Sequence, residues 1–355
     1  QLRERTLVMN AIYKDNFLVG VKAKDLKKNQ LVEIQGKVII DASGMVAVLR
    51  NKIPIQWHIE QRVQQDDLEA CYQEIREISR QIHDPGFLKI HFSRTIAPGG
   101  YYWIFPKKNN RVNVGVGVQM KNSFPNPKDQ LYKHVLSTPL FTNSKKIQAG
   151  MGLVPTRRAI NLVGNGILFV GDAACQTNPT HGGGIGPSML AGKLASETAC
   201  KAIENDDVSQ ENLWSYNIEY TLRYGIKYAG LDIFRILLQK CRDENLNYGM
   251  ANGFIKGEYI FSRATLYDDV VSKITTTSRH RPFFKTLIQT SEAMKRIKKM
   301  YEVFPQPEKY PAWIREVDEI IAEMKGLVLV NGDSKIDFTY QEKEERKTPF
   351  SQLSL

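Results

Sequence analysis

Residues 167–199, ILFVGDAACQTNPTHGGGIGPSMLAGKLASETA, hold the densest set of groups able to do chemistry. Gly166–Val170 reads as a buried strand that delivers Gly171 and Asp172 to the edge of a sheet, where open α/β folds bind ligands. A carboxylate there accepts hydrogen bonds from sugar-type hydroxyls, and Gly171 removes the side chain that would block them. Pro179 stiffens the turn. Gly182, Gly183 and Gly184 then let backbone come against a flat ligand before a helix predicted over Ile185–Glu204, whose free N–H groups favour negative charge.

A second stretch, Pro98–Pro106, alternates Tyr101, Trp103 and Phe105 along a predicted strand, so three aromatic rings share one face. They are either sheet core or the wall of an apolar slot. Gly115-Val116-Gly117 lies within a strand pattern and opens no helix, so it reads as sheet rather than as a dinucleotide loop.

The first segment resembles the second FAD-binding motif of the para-hydroxybenzoate hydroxylase-like flavoproteins, G-D-A-A followed by P-x-x-G-x-G-I. That resemblance implies FAD as cofactor, with Asp172 on the ribityl chain and Gly182, Gly184 and Ile185 facing the isoalloxazine. Gly171, Pro179 and Gly183 complete the turn. Val38–Gly44, running on to Arg50, is similar to the family's middle motif near the pyrophosphate, with Ala47 where a serine is usual. Gly44 belongs to this cofactor set, as does Val8 on the first strand. The Y-x-W-x-F-P stretch is similar to one in geranylgeranyl reductases, a branch of the same class, and implies that Tyr101, Trp103, Phe105 and Pro106 line the substrate cavity. His181 is the candidate proton donor, with a turn-capping role and water as donor left as alternatives.

The implied activity is saturation of isoprenoid C=C bonds of a geranylgeranyl lipid by hydride from reduced flavin, with NADPH or a ferredoxin-type protein as electron donor. A flavin monooxygenase or halogenase of the same fold, and a non-catalytic isoprenoid-lipid-binding protein, are the competing readings. The first G-x-G-x-x-G motif of these reductases is not in the chain, which therefore reads as N-terminally shortened by about a hundred residues, judged from one βαβ unit of ~30 residues and its connections.

Positioning these groups takes an α/β (α+β) fold: an FAD-binding parallel sheet, an antiparallel substrate-binding sheet and a C-terminal helical region. Residues 1–50 read as the remainder of the FAD-binding domain, with strands over Thr6–Tyr13, Asn16–Ala23 and Leu31–Ile40. The antiparallel domain spans 51–155, with a helix predicted over Asp66–Ile82 and strands over Phe87–Phe92, Tyr101–Phe105 and Val112–Gln119. The second motif occupies 156–205. From 206 to 355 helices are expected over Gln210–Arg223, Ile226–Cys241, Pro282–Tyr301 and Pro311–Lys325, with a polar end at Lys335–Lys347. Trp214, Tyr216, Tyr220, Tyr224 and Tyr228 read as helix-pairing core.

Composition is consistent with this. The 355 residues are 42% hydrophobic and 25% charged, which excludes a disordered or disulfide-stapled chain. A formal charge of +11 favours anionic partners, yet the basic residues are scattered, and no nucleic-acid module is present. Cys71, Cys175, Cys200 and Cys241 form no C-x-x-C pair and the histidines no H-E-x-x-H, so no metal site is expected and a reducing cytoplasmic compartment fits. No apolar run approaches the ~20 residues of a spanning helix, so any membrane contact is peripheral.

Overall fold

The structure, a computed structural model, describes residues 1–121, 124–255 and 281–327. The polar stretch Lys335–Lys347 lies outside them. The chain opens with strands β1 (Thr6–Lys14), β2 (Phe17–Asp25) and β3 (Gln30–Gln35), an antiparallel meander in the order β1-β2-β3. The third predicted strand breaks at Gly36, and β4 (Ile39–Asp41) leaves the meander for a different sheet.

The antiparallel layer is a five-stranded sheet of β5 (Leu68–Glu77), β6 (Lys89–His91), β7 (Tyr101–Lys107), β8 (Arg111–Gln119) and β9 (Lys145–Pro155), in the order β6-β7-β8-β5-β9. The helix expected over Asp66–Ile82 is therefore a strand. β5 pairs along its whole length with β8 on one side and β9 on the other, and this ladder outweighs the helix propensity of its Glu, Gln and Ala residues. Val112, Val114, Val116 and Val118 from β8 fill the core on one face with Tyr102, Ile104 and Leu131. A short helix α1 (Pro127–Gln130), extended by one wider turn over Leu131–Val135, lies against that face.

With β10 (Val163–Gly164) and β11 (Ile167–Phe169) the chain returns to the sheet that holds β4, ordered β10-β11-β4. β11 pairs with β4 in parallel, Ile167 opposite Ile39 and Phe169 opposite Asp41, as expected from two buried strands separated by a crossover. Helix α2 runs over Ile185–Glu204, the predicted span, and buries Ala191, Ala195, Ala199 and Ala202, small residues that allow close packing.

The C-terminal helices are α3 (Gln210–Leu213), α4 (Ser215–Tyr220), α5 (Ile226–Lys240), α6 (Asp243–Ala251), α7 (Arg281–Glu302) and α8 (Tyr310–Gly326). The helix predicted over Gln210–Arg223 is divided at Trp214, and α6 was not anticipated. Trp214, Tyr216, Tyr220 and Tyr228 are buried and Tyr224 partly so, with the rings of Tyr216, Tyr220, Tyr224 and Tyr228 successively 6.5, 6.0 and 5.2 Å apart, as expected of helix-pairing core. α5 is buried almost all round and packs against α7 and α8 in one core with β11 and α2.

Candidate active site

β11 ends at Phe169, and the chain turns sharply at Gly171 (φ 67°) into a single 3-10 turn over Gly171–Ala174. The turn is fixed from behind: the Gly171 N–H donates to Gln176 Oε1 at 2.7 Å, and Gln176 Nε2 donates to the Tyr216 hydroxyl at 2.9 Å. Asp172 is half-buried at its outer edge, and burial raises its carboxyl above the ordinary aspartate range.

Pro179 is buried in a loop that closes on itself. Asn178 Oδ1 accepts from the Thr180 N–H and hydroxyl, and the Gly182 N–H donates to the Asn178 carbonyl at 2.8 Å. Gly182 has φ 68°, a conformation that favours glycine. At Gly184 a Cβ would come 3.0 Å from Thr177 Cγ2 and 3.2 Å from Asp172 Oδ1, so any side chain there would press on both, and the glycine keeps the space between the carboxylate and the start of α2 clear. Ile185 and Met189, on the first turns of α2, are 83% and 74% exposed, an apolar surface at the mouth of the turn.

Gly44 (φ 70°) begins a short turn over Gly44–Val46 that packs beside the Gly171–Ala174 turn. Buried Asp41 holds this turn by accepting from the Ser43 and Leu49 N–H groups. Arg50 is buried and donates to the Ala173 carbonyl at 2.8 Å, while its Nε has no hydrogen-bond partner. The structure thus brings Gly44, Gly171, Asp172, Pro179 and the three glycines to one edge. Val8 lies elsewhere, paired with Ala23 inside the meander.

On the other side of the Gly182 turn is a cavity of about 370 Å³. Tyr101, Trp103 and Phe105 wall it from β7, with ring centroids 5.8 and 6.2 Å apart. Its floor is made of glycines from neighbouring strands, Gly117 of β8 and Gly150 and Gly152 of β9. A Cβ on Gly115 would meet Trp103 Cζ2 at 2.3 Å, so that glycine seats the indole. The indole N–H donates to Asn113 Oδ1 at 2.8 Å, and Asn113 in turn donates to Gln73. Pro106 points the other way and lines a separate groove with Ile78 and Arg80, so it is not in this wall.

His181 lines the cavity beside Gly182, and its Nδ1 accepts from the Gly183 N–H at 3.1 Å, a turn-capping bond. Burial, together with Lys227, lowers its pKa below the ordinary histidine range. The sequence reading missed Glu69, which is 7% exposed and lines the same cavity from β5. Burial raises its carboxyl to about 7, against the pull of Arg235. The neighbouring Cys71 thiol is pushed up to about 12 by burial and by Glu69. Read as helix, this stretch gave no sign that Glu69 and Cys71 share a face with the aromatic rings. Among the described residues no cluster of His, Cys, Asp or Glu could hold a metal ion.

Comparison with known proteins bears on family and fold. The family model of the geranylgeranyl reductase catalytic domain matches residues 67–154, the span of the five-stranded sheet and its cavity. The digeranylgeranylglycerophospholipid reductase of Sulfolobus acidocaldarius is 34% identical over 334 residues, 91% of this chain and 74% of that protein. The enzyme of that name from Methanosarcina acetivorans is 36% identical over 217 residues, and there the match covers 60% of this chain and 51% of the relative. Among solved structures, a geranylgeranyl bacteriochlorophyll reductase-like protein from Thermoplasma acidophilum superposes with a TM-score of 0.61 at 22% identity, covering 89% of this chain and 69% of that one. A myxobacterial FAD-dependent halogenase shares the fold more distantly, with a TM-score of 0.50 at 16% identity over 70% of this chain and 61% of that one. With a third of its residues identical to the Sulfolobus protein along nearly its whole length, the chain belongs to the geranylgeranyl reductase family, on the digeranylgeranylglycerophospholipid reductase branch.

Proposed function

We propose that this protein is an FAD-dependent reductase that saturates C=C bonds of geranylgeranyl chains in archaeal ether-lipid precursors. The carrying observation is the cavity itself: a slot walled by three aromatic rings, floored by glycines, and closed at one end by the glycine turn before α2. Its volume lies in the range of ligand clefts, roughly 300–1,000 Å³. Its aromatic and glycine surfaces suit an isoprenoid chain, which offers apolar surface and C=C bonds, with the polar side chains Glu69, Gln73 and Asn113 along the same slot.

The edge beside it fits a flavin. The bare-backbone cradle at Gly184, the exposed apolar Ile185 and Met189, and the unsatisfied Arg50 Nε are the features such a cofactor would cover or complete. Asp172 would hold the ribityl hydroxyls, and Gly171, Pro179, Gly182, Gly183, Gly184 and Ile185 the ring. Gly44 and Arg50 stand on the neighbouring turn. When bound and reduced, by NADPH or a ferredoxin-type donor, flavin supplies a hydride at N5. The protein's own part is to hold the alkene still and dry against that edge. Tyr101 and Trp103 present π faces that would steady cationic character on the chain by roughly 0.5–2 kcal/mol per ring.

The halogenase reading shares only the fold, whereas the proteins that share sequence are named reductases. A substrate this apolar resides in a membrane, and we propose a peripheral contact on its cytoplasmic side; no helix among the described residues is long and apolar enough to cross a membrane. The test is direct: the flavin-loaded protein, reduced with dithionite, adds hydrogens to geranylgeranyl lipid in two-hydrogen steps seen by mass spectrometry. An unchanged lipid mass overturns the reading.

A further inference from the structure

A trisubstituted alkene cannot be saturated by hydride alone, because a proton must reach the adjacent carbon. The cavity narrows the choice of donor. At the end beside the glycine turn, where the Tyr101 hydroxyl meets the His181 carbonyl, the side chains able to carry a proton are His181, Tyr101, Cys71 and Glu69.

The register of β5 places Glu69 opposite Val154 and Gln119, at the end of the sheet next to the glycine turn, while Gln73 and Phe105 lie farther along the slot. Space is cleared for its carboxyl: a Cβ on Gly100 or on Gly117 would come 3.1 Å from Glu69 Oε2. Behind it lie Arg235, which draws its charge, and Gln239 of α5, whose Oε1 is fixed by Arg235 at 2.9 Å and by Gln119 at 3.2 Å and whose buried Nε2 has no hydrogen-bond partner. A buried carboxyl that lines the slot, in space cleared by two glycines, is placed to act on what occupies it. We infer that Glu69 is the catalytic acid that protonates the alkene. This assignment rests on the proposed reductase function.

The balance is as follows. The C=C π electrons take the proton from the Glu69 carboxylic acid, forming one C–H bond. The second C–H bond and its two electrons would come as hydride from a bound, reduced flavin, and the Glu69 carboxylate regains its proton from water.

The competing donors are weaker. His181 Nδ1 is already accepting a backbone hydrogen bond, and burial lowers the pKa of the ring, which disfavours its protonated form. The Tyr101 hydroxyl is committed to the His181 carbonyl, and both it and the Cys71 thiol are driven upward by burial and by Glu69 itself. Glu69, held up to about 7, keeps its proton near neutrality and still releases it. The charged and titratable groups facing it are Cys71 on its own strand, Tyr101 from β7, His181 from the turn and Arg235 from α5. Arg235 is itself neutralised by Asp67 and Asp232.

The experiment pairs Glu69→Gln, which keeps shape and hydrogen bonding, with Glu69→Asp. Flavin-loaded Glu69→Gln is expected to keep flavin content and lipid binding but to lose turnover by about 100-fold or more, the usual weight of general acid catalysis. The fall in wild-type rate above pH about 7 disappears from its residual activity, and Glu69→Asp recovers part of both. Infrared titration of the intact chain without flavin or lipid gives an independent readout: a protonated-carboxyl band lost around pH 7 in wild type and missing from Glu69→Gln. A Glu69→Gln enzyme within a few-fold of wild type, with the alkaline limb intact, overturns the assignment, as does an unchanged infrared band. A wild-type protein that adds no hydrogen to the lipid instead brings down the reductase reading itself.

Discussion

The Tyr101 hydroxyl donates to the His181 carbonyl oxygen at 2.7 Å, which ties the aromatic wall of the cavity to the turn ahead of α2. The bond joins two segments 80 residues apart in sequence and sets how close the slot comes to the glycines. Tyr101→Phe keeps the ring but leaves that carbonyl without its donor. The expected cost is about 1 kcal/mol of stability in urea denaturation, with a larger proportional loss in reduction rate as the turn loosens. A variant that matches wild type in both measurements would show that the turn is held by its own internal bonds alone.

The glycine floor makes a different prediction. A Cβ on Gly152 would meet nothing within 4 Å, so Gly152→Leu adds a side chain to open space without disturbing the strand. Its melting temperature should stay within a few degrees of wild type, while reduction of a full-length geranylgeranyl chain is lost and that of a shorter prenyl chain survives. Gly115→Ala is the contrast, since its Cβ would collide with the Trp103 indole at 2.3 Å and should cost stability first.

Much of this arrangement was legible in the sequence because the relevant signals were local. The span of α2, the parallel pairing of β11 with β4 and the common face of Tyr101, Trp103 and Phe105 all follow from turn chemistry and side-chain period. β5 was not legible, because each of its faces hides a carboxylate whose partners come from elsewhere. Glu69 sits on the cavity face. Glu74, on the opposite face, is fully buried and accepts from the Tyr72 and Tyr132 hydroxyls at 2.9 and 2.7 Å. Alternation of apolar and polar residues vanishes when polar groups are buried on both sides, and the helix formers then dominate the local signal. β9 was missed for a related reason: it is a largely exposed edge strand, and the glycines that floor the cavity carry no strand propensity.

Beneath the cavity, Asp232 of α5 is buried between Arg158 and Arg235, which lie 3.2 and 2.6 Å away. Burial alone would raise its carboxyl, yet the two guanidinium groups hold it down at about 2, from an ordinary value of 3.8. A depressed carboxyl contributes stability that is present above its unfolded pKa and lost as pH falls through its folded one. Wild-type stability is therefore expected to decline between about pH 4 and pH 2, and Asp232→Asn should flatten that decline. At neutral pH the same substitution leaves two buried cations short of a partner and should cost about 3–5 kcal/mol. Chemical denaturation at a series of pH values reads both effects, and an unaltered acid profile in the variant would place the pH sensitivity in other carboxylates.

The last prediction separates the two walls of the site. Asp172 lies on the turn edge with the cradle of Gly184, and Trp103 lies across the slot, seated on Gly115 and hydrogen-bonded to Asn113. Asp172→Ala removes the carboxylate proposed for the ribityl hydroxyls without touching the aromatic wall, so the protein should lose flavin absorbance while retaining the capacity to bind an isoprenoid analogue. Trp103→Ala opens the wall without touching the turn, so flavin absorbance should persist while lipid turnover collapses. Burial already raises the Asp172 carboxyl, and a bound polyol donating hydrogen bonds would lower it again, so flavin affinity should weaken as pH falls into the acid range. Parallel flavin and lipid titrations of the two variants decide the matter. If Asp172→Ala keeps flavin and Trp103→Ala loses it, the cofactor lies in the aromatic slot and the assignment of the two walls is inverted.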